Sequence, residues 1–165
     1  MVNNIYITGF MGSGKTTVGQ ALAKSLGYQV TDTDKWIEEM EGQSISTIFK
    51  QYGEPYFRDL ETNALQQISG NQLIITTGGG IIMRPENREI MKEKGEIIYL
   101  QCDLEEVFLR LNDDTTRPLL EKEDKSNVEK LYQSRLPFYE EADYTINTTG
   151  KSIHFIVQEL KSLLK

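Results

Sequence analysis

One cysteine and one histidine in 165 residues leave little material for redox or metal-cluster chemistry. Cys102 has no partner for an internal disulfide, and a Cys/His metal cluster is excluded with it. No apolar run approaches the roughly 20 residues that a bilayer span demands. The N-terminus also lacks the charged-then-apolar pattern of a secretory signal, so the expected location is the cytoplasm. Basic residues are in short supply as well: 18 Lys and Arg face 25 Asp and Glu, a net charge of -7. Nucleic-acid binding normally needs a basic face, so that partner is not expected. The same acidity sets a condition, because an anionic ligand would need individual arginines to overcome the field locally. Internal repeats and linkers rich in Pro, Gly or Ser are missing too. The chain therefore reads as one domain over residues 1–165, expected to be a monomer acting on small molecules.

What is present alternates. Apolar, β-branched or aromatic runs at 4–8, 28–32, 73–77, 96–101 and 143–147 predict strands. Segments of helical period at 15–26, 34–41, 44–52, 54–69, 85–94, 104–112, 126–141 and 152–164 predict helices. Several strands are apolar almost throughout and need cover on both faces. The pattern implies an α/β fold of three layers, α/β/α, with a five-stranded parallel sheet and ligands at the carboxyl ends of its strands. Residues 112–127, NDDTTRPLLEKEDKSN, are polar and charge-dense and join two helices. A loop of that length in a small domain is either a lid, here about 112–124, or a solvated connection.

The first strand runs into TGFMGSGKTT, residues 8–17, in which Gly9 to Thr16 match G-x-x-x-x-G-K-[ST] between a strand and a helix. Glycines let successive N–H groups turn inward, where with the helix N-terminus they form an anion nest. Gly12, Ser13, Gly14, Lys15, Thr16 and Thr17 are thus the expected nucleotide contacts. Lys15 reaches the β and γ phosphates, and the Thr16 hydroxyl ligates Mg²⁺. The second acid for magnesium is expected at Asp32, acting through water. Asp103, which closes the run IIYLQCD, reads better as a capping box with Glu106.

Further candidates follow at strand ends and on helices: Asp32-Thr33-Asp34, Arg58 in YFRDLE, Thr77 to Gly80, Arg117 in TTRPLL and Arg135 in SRLPFYEEAD. Each has a bland alternative. Asp34 could cap the helix that starts at Lys35, Arg58 could pair with Glu54 or Glu61, and Arg135 with Glu140. Cys102 is expected to be a buried thiol, His154 to sit at a helix start, and Trp36 to pack beside the acceptor pocket.

Taken in order, the P-loop, DTD, FR-x-x-E (Phe57 to Glu61), GGG, RPLL and R-x-P-x-Y-x-x-A (Arg135 to Ala142) resemble the shikimate kinases over nearly the whole chain. The resemblance implies a P-loop fold of the nucleoside-monophosphate-kinase-like type with a mobile lid. It implies transfer of the γ-phosphoryl of ATP, with Mg²⁺, to the 3-hydroxyl of shikimate, on the route to chorismate and the aromatic amino acids. Carried over by position, it makes Asp34 the carboxylate at the shikimate hydroxyls. Arg58 and Arg135 become the clamp for the shikimate carboxylate, beside the N–H groups of Gly79 and Gly80. Arg117 becomes the lid arginine at the transferring phosphate, and Lys15, Asp34 and Arg117 the catalytic set. Arg110 faces adenine, with a further contact in the turn at 149–152.

Two other readings compete. A gluconate or nucleoside monophosphate kinase would share the architecture, although a nucleobase acceptor has no use for a carboxylate clamp. A nucleotide-binding regulator without catalysis should have lost Asp34, Arg58 or Arg135, and all three are here.

Overall fold

The computed structural model describes residues 4–113 and 122–164; Arg117 and residues 114–121 of the expected lid lie outside the described residues. Five parallel strands form one sheet in the order β2-β3-β1-β4-β5. They are β1 (Asn4–Gly9), β2 (Gln29–Asp32), β3 (Leu73–Thr76), β4 (Glu96–Gln101) and β5 (Tyr144–Asn147). The helices are α1 (Lys15–Leu26), α2 (Thr33–Glu41), α3 (Ile45–Tyr52), α4 (Glu54–Gln67), α5 (Pro85–Lys94), α6 (Leu104–Asp113), α7 (Lys122–Tyr139) and α8 (Ile153–Leu163). A short 3-10 turn at Ile81–Met83 follows β3 and precedes α5.

Burial explains which strands are central and which form the edges. All of β1 and β3 and the four middle residues of β4 are buried, and these three make the centre, whereas the more polar β2 and β5 form the edges. Alternate side chains then feed two cores. Ile5, Ile7, Ile74, Ile98 and Leu100 meet Val18 and Leu22 of α1 and Ile156 and Leu160 of α8. Tyr6, Ile75, Ile97 and Tyr99 meet Ile37, Ile48, Phe57, Leu65, Met91 and Tyr139 from the other helices. From β1 the chain winds first towards β2 and β3 and later to the opposite side, through β4 and β5. The switch point thus falls at the carboxyl end of β1, where a doubly wound sheet leaves a crevice.

Most expected boundaries shift by one or two residues, while α7 starts four residues earlier than expected, at Lys122, and stops at Tyr139, with Pro137 in its last turn. The alternative cap at Asp34 and the expected capping box at Asp103 are both corrected. The cap of α2 is Asp32, whose carboxylate accepts from the Lys35 N–H, so Asp34 lies inside the first turn. The Asp103 N–H donates to the Thr149 hydroxyl, while Glu106 pairs with Arg110 and takes the Cys102 thiol. No reciprocal capping box therefore forms, because nearer partners claim both of its halves.

Gly19 marks the closest approach of α1 to the sheet: a Cβ there would lie 2.5 Å from the Thr76 Cγ2 and 3.5 Å from the Ile7 Cδ1. Alanine normally strengthens a helix interior by about 1 kcal/mol. Here overpacking against a hydrogen-bonded threonine on the sheet outweighs that gain. Gly19→Ala is expected to lose about 1–3 kcal/mol, measured as a lower urea midpoint at unchanged m-value.

Candidate active site

Local backbone rules build the first half of the site. Gly9, Gly12 and Gly14 all have positive φ (155°, 75° and 93°), which side chains resist. At Gly9 a Cβ would also sit 2.7 Å from the Ser13 hydroxyl and 2.8 Å from the Leu100 carbonyl oxygen. Gly14 stands at the N-cap of α1 without a side-chain cap, leaving the first N–H groups of the helix to an anion. Lys15 reaches back over the loop and donates to the carbonyls of Gly9 (2.7 Å) and Phe10 (3.0 Å).

Across an open cleft of about 490 Å³ from Lys15 and Thr16 stand Asp32, Asp34 and the turn Thr77 to Gly79. The Asp32 carboxylate is held at both oxygens, by the Lys35 N–H and by the Thr76 hydroxyl at 2.7 Å. The turn is tied down by its own bonds: Thr77 to Ile7, the Gly78 N–H to the Thr33 hydroxyl, and the Tyr139 hydroxyl to the Gly79 carbonyl.

The three consecutive glycines each face a different charge. A Cβ on Gly78 would come 3.0 Å from an oxygen of Asp34 and 3.0 Å from one of Glu61. One on Gly79 would lie 3.1 Å from the Arg135 Nη1, and one on Gly80 would overlap both Nη atoms of Arg58 at 2.6 Å. So the predicted Asp34, Arg58 and Arg135, far apart in sequence, converge on one turn.

Their electrostatics are unequal. Arg58 bonds Glu61 at 2.6 Å and Glu54 at 3.1 Å, so both expected helix-face partners are engaged together with the turn. Burial works against the Arg58 charge, but Glu61 and Glu54 more than offset it. Arg135 is 9% exposed, lies over the Phe10 ring, and among the described residues has no carboxylate at ion-pair distance; the alternative pairing with Glu140 does not form. Burial, with help from Asp32, pushes Asp34 from the ordinary 3.8 up to about 6 against the pull of Lys15. One oxygen of Asp34 and one of Glu61 are buried without a protein partner. Unpaired buried oxygens beside an arginine cluster are acceptor capacity held for something else.

Arg110 donates to the Gly12 carbonyl at 2.8 Å and, with Thr148 and Lys151, edges a second hollow of about 260 Å³ beside Ser13 and Thr17. That joins the expected adenine contact to the 149–152 turn. Trp36 is half-buried, packs against the core that holds Ile37, Ile48 and Phe57, and edges a groove with Val30, Asp32 and Glu39; it does not line the cleft itself. Cys102 is buried and His154 is exposed at the start of α8, as expected. Two contributors were not among the expected site residues. Glu61 is fully buried and Tyr139 nearly so; both stand inside the quoted motifs, but only burial reveals them as part of the cluster.

A phosphate loop at the switch point of a parallel sheet, facing a turn on which two arginines and two carboxylates converge, fits an ATP-dependent kinase of small molecules. The comparisons with known proteins narrow this. The family model "Shikimate kinase" matches residues 11–165. The shikimate kinase of Bacillus cereus (strain G9842) is 49% identical over 160 residues, covering 97% of each chain, and that of Persephonella marina is 46% identical over 160 residues, covering 96% of this chain and 97% of that one. The structure of shikimate kinase from Acinetobacter baumannii in complex with shikimate superposes with a TM-score of 0.91 at 38% identity, covering 99% of this chain and 93% of that one. The Aquifex aeolicus enzyme gives a TM-score of 0.86 at 34% identity, covering 98% and 95%. The chain belongs to the shikimate kinase family, whose members use ATP with Mg²⁺. No helix among the described residues is long and apolar enough to cross a membrane.

A carboxyl whose pKa is raised on folding binds its proton more tightly in the native state. Its contribution to stability is complete below about pH 4 and is lost as pH rises through about 6. Asp34→Asn removes that loss. The variant is expected to be more stable than the parent at pH 7 by up to about 2 kcal/mol and indistinguishable near pH 4, measured by urea unfolding at both pH values.

Proposed function

We propose that the chain transfers the γ-phosphoryl of ATP to the 3-hydroxyl of shikimate through the residues gathered on the glycine turn and the phosphate loop. The single observation that carries this reading is that Gly78, Gly79 and Gly80 face Asp34 with Glu61, Arg135 and Arg58 in turn, beside the cleft that Lys15 closes. The compound bound in the Acinetobacter baumannii structure is shikimate, a small hydroxylated ring with one carboxylate. A planar guanidinium matches a carboxylate bidentately, and two of them answer the acidity of the chain at the point of need.

In this reading the N–H groups from Gly12 to Thr17 cradle the phosphates and Lys15 neutralises the terminal ones. Arg110 and the 149–152 turn hold adenine. Arg58 and Arg135 clamp the acceptor carboxylate, with Gly79 and Gly80 presenting backbone N–H groups nearby. Asp34 orients the hydroxyl that attacks and takes its proton late, because a loose transition state asks little of a base beforehand. A carboxyl raised to about 6 is ionised at neutral pH yet still a willing acceptor.

Magnesium fits the donor set. Among the described residues no group of three or more His, Cys, Asp or Glu could enclose a metal. Mg²⁺ needs no such cage, since it keeps waters and is held by one or two protein groups together with substrate phosphates. Thr16 is exposed at the head of α1, and the fixed carboxylate of Asp32 faces the same cleft. These two would hold the ion, Asp32 through water. When bound, it supplies charge neutralisation at the transferring phosphoryl.

The reading takes residues 1–165 as one kinase domain and the chain as a cytoplasmic monomer. In this reading the lid expected at about 112–124 would bring Arg117 to the γ-phosphate and exclude water. The test is an acceptor panel. With ATP and Mg²⁺, ADP release is expected to be fastest in kcat/KM with shikimate, against gluconate and nucleoside monophosphates. A higher kcat/KM with any other acceptor overturns the assignment.

A further inference from the structure

The carboxylate clamp has two arms, and they stand on helices α4 and α7, which belong to distant parts of the chain. Adjacent residues of α5 fasten both helices to the 3-10 turn that follows the glycines. Asn87 is fully buried. It donates to the Ile81 carbonyl at 2.9 Å and accepts from Thr62 of α4 at 2.7 Å, one turn after Arg58. Arg88 points the other way. Its Nη1 donates to the carbonyls of Ile82 (2.7 Å) and Met83 (3.3 Å), and its Nε pairs with Glu141 at 2.6 Å. Its guanidinium also lies 4.5 Å from the ring centroid of Phe138, on the last turn of α7 below Arg135. The side chain is 13% exposed, so these contacts are made largely out of water.

We propose that Arg88 is a positioning residue for the acceptor site, setting the distance between Arg135 and the glycine turn and so the spacing of the two-arginine clamp. A planar guanidinium suits the task. It bridges two carbonyls, a carboxylate and an aromatic face at once, and a lysine cannot reproduce that fork. The contacts run between the 3-10 turn and the end of α7, with none of the nucleotide side of the cleft involved. The defect on removing Arg88 is therefore directed at the acceptor and not at ATP. This inference rests on the proposed role of Arg58 and Arg135.

Steady-state kinetics on the full chain test it, with Arg88→Ala, Arg88→Lys, Glu141→Gln, Arg135→Ala and the Arg88→Ala/Arg135→Ala double variant. Arg88→Ala is expected to raise the KM for shikimate about tenfold and leave the KM for ATP unchanged, because small misplacements of a binding group are costly. Arg88→Lys should recover only part of the loss. The double variant should be no worse than Arg135→Ala alone, since the two act through one group. Glu141 is 44% exposed, so Glu141→Gln leaves the fold intact and serves as the second variant should Arg88→Ala fail to fold; it should give a smaller rise of the same kind. Additive losses in the double variant, equal rises in both KM values, or parental shikimate KM in Arg88→Ala or Glu141→Gln would overturn the inference. If Arg135→Ala itself leaves the shikimate KM unchanged, the clamp reading fails first and takes this one with it.

Discussion

A Cβ at Gly78 or Gly79 would crowd a charged group at 3.0–3.1 Å, and one at Gly80 would overlap the Arg58 guanidinium at 2.6 Å. That steric constraint organises the whole acceptor side of the molecule. Three residues without Cβ atoms let two carboxylates and two guanidinium groups close on one short turn, in a chain whose net charge is -7. Gly78 and Gly80 need no left-handed backbone, as neither appears among the positive-φ glycines. Their value is the missing side chain rather than conformational freedom. The phosphate loop uses glycine for the opposite reason, since Gly9, Gly12 and Gly14 all carry positive φ.

The rest of the fold serves to hold that turn at the right place. β3 ends in it, and β1 ends in the phosphate loop beside it, because the two strands are neighbours in register from Asn4 with Leu73 to Ile7 with Thr76. The sheet thus fixes donor and acceptor regions relative to one another with no intervening loop. Asp32, at the end of β2, ties α2 to β3 by capping α2 while accepting from Thr76. The cost of gathering charge appears at Asp34, whose burial without a full set of partners disfavours its ionised form. Stability given up at a functional group is a common exchange.

How much of this could be read from the sequence depended on whether the signal was local. The phosphate loop is a contiguous pattern and its strand-loop-helix setting lies within the same stretch, so it was legible in full. The strand order was not, because hydropathy reports burial and leaves neighbours open. The alternative in which Asp34 caps α2 falls two residues late: Asp32 and Asp34 are both good caps, and where β2 stops decides between them. The Asp103 capping box failed because Thr149, 46 residues away, supplies a better partner for the Asp103 N–H. Glu61 reads in sequence as a helix-face partner for Arg58, which it is; that it is also fully buried against Gly78 belongs to tertiary packing alone. Arg88 carries no sequence signal whatever, since its partners come from a turn and the end of another helix.

The central claim is that the emptiness of the glycine turn, and not glycine's flexibility, is what permits the acceptor clamp. Gly80→Ala tests it most directly: the backbone there (φ -94°, ψ 0°) admits alanine, and the added Cβ meets the movable end of Arg58. Calorimetric titration of shikimate into this variant should show affinity about tenfold weaker than the parent, a loss of about 1.4 kcal/mol, at nearly unchanged thermal stability. Parental affinity in Gly80→Ala would contradict the account.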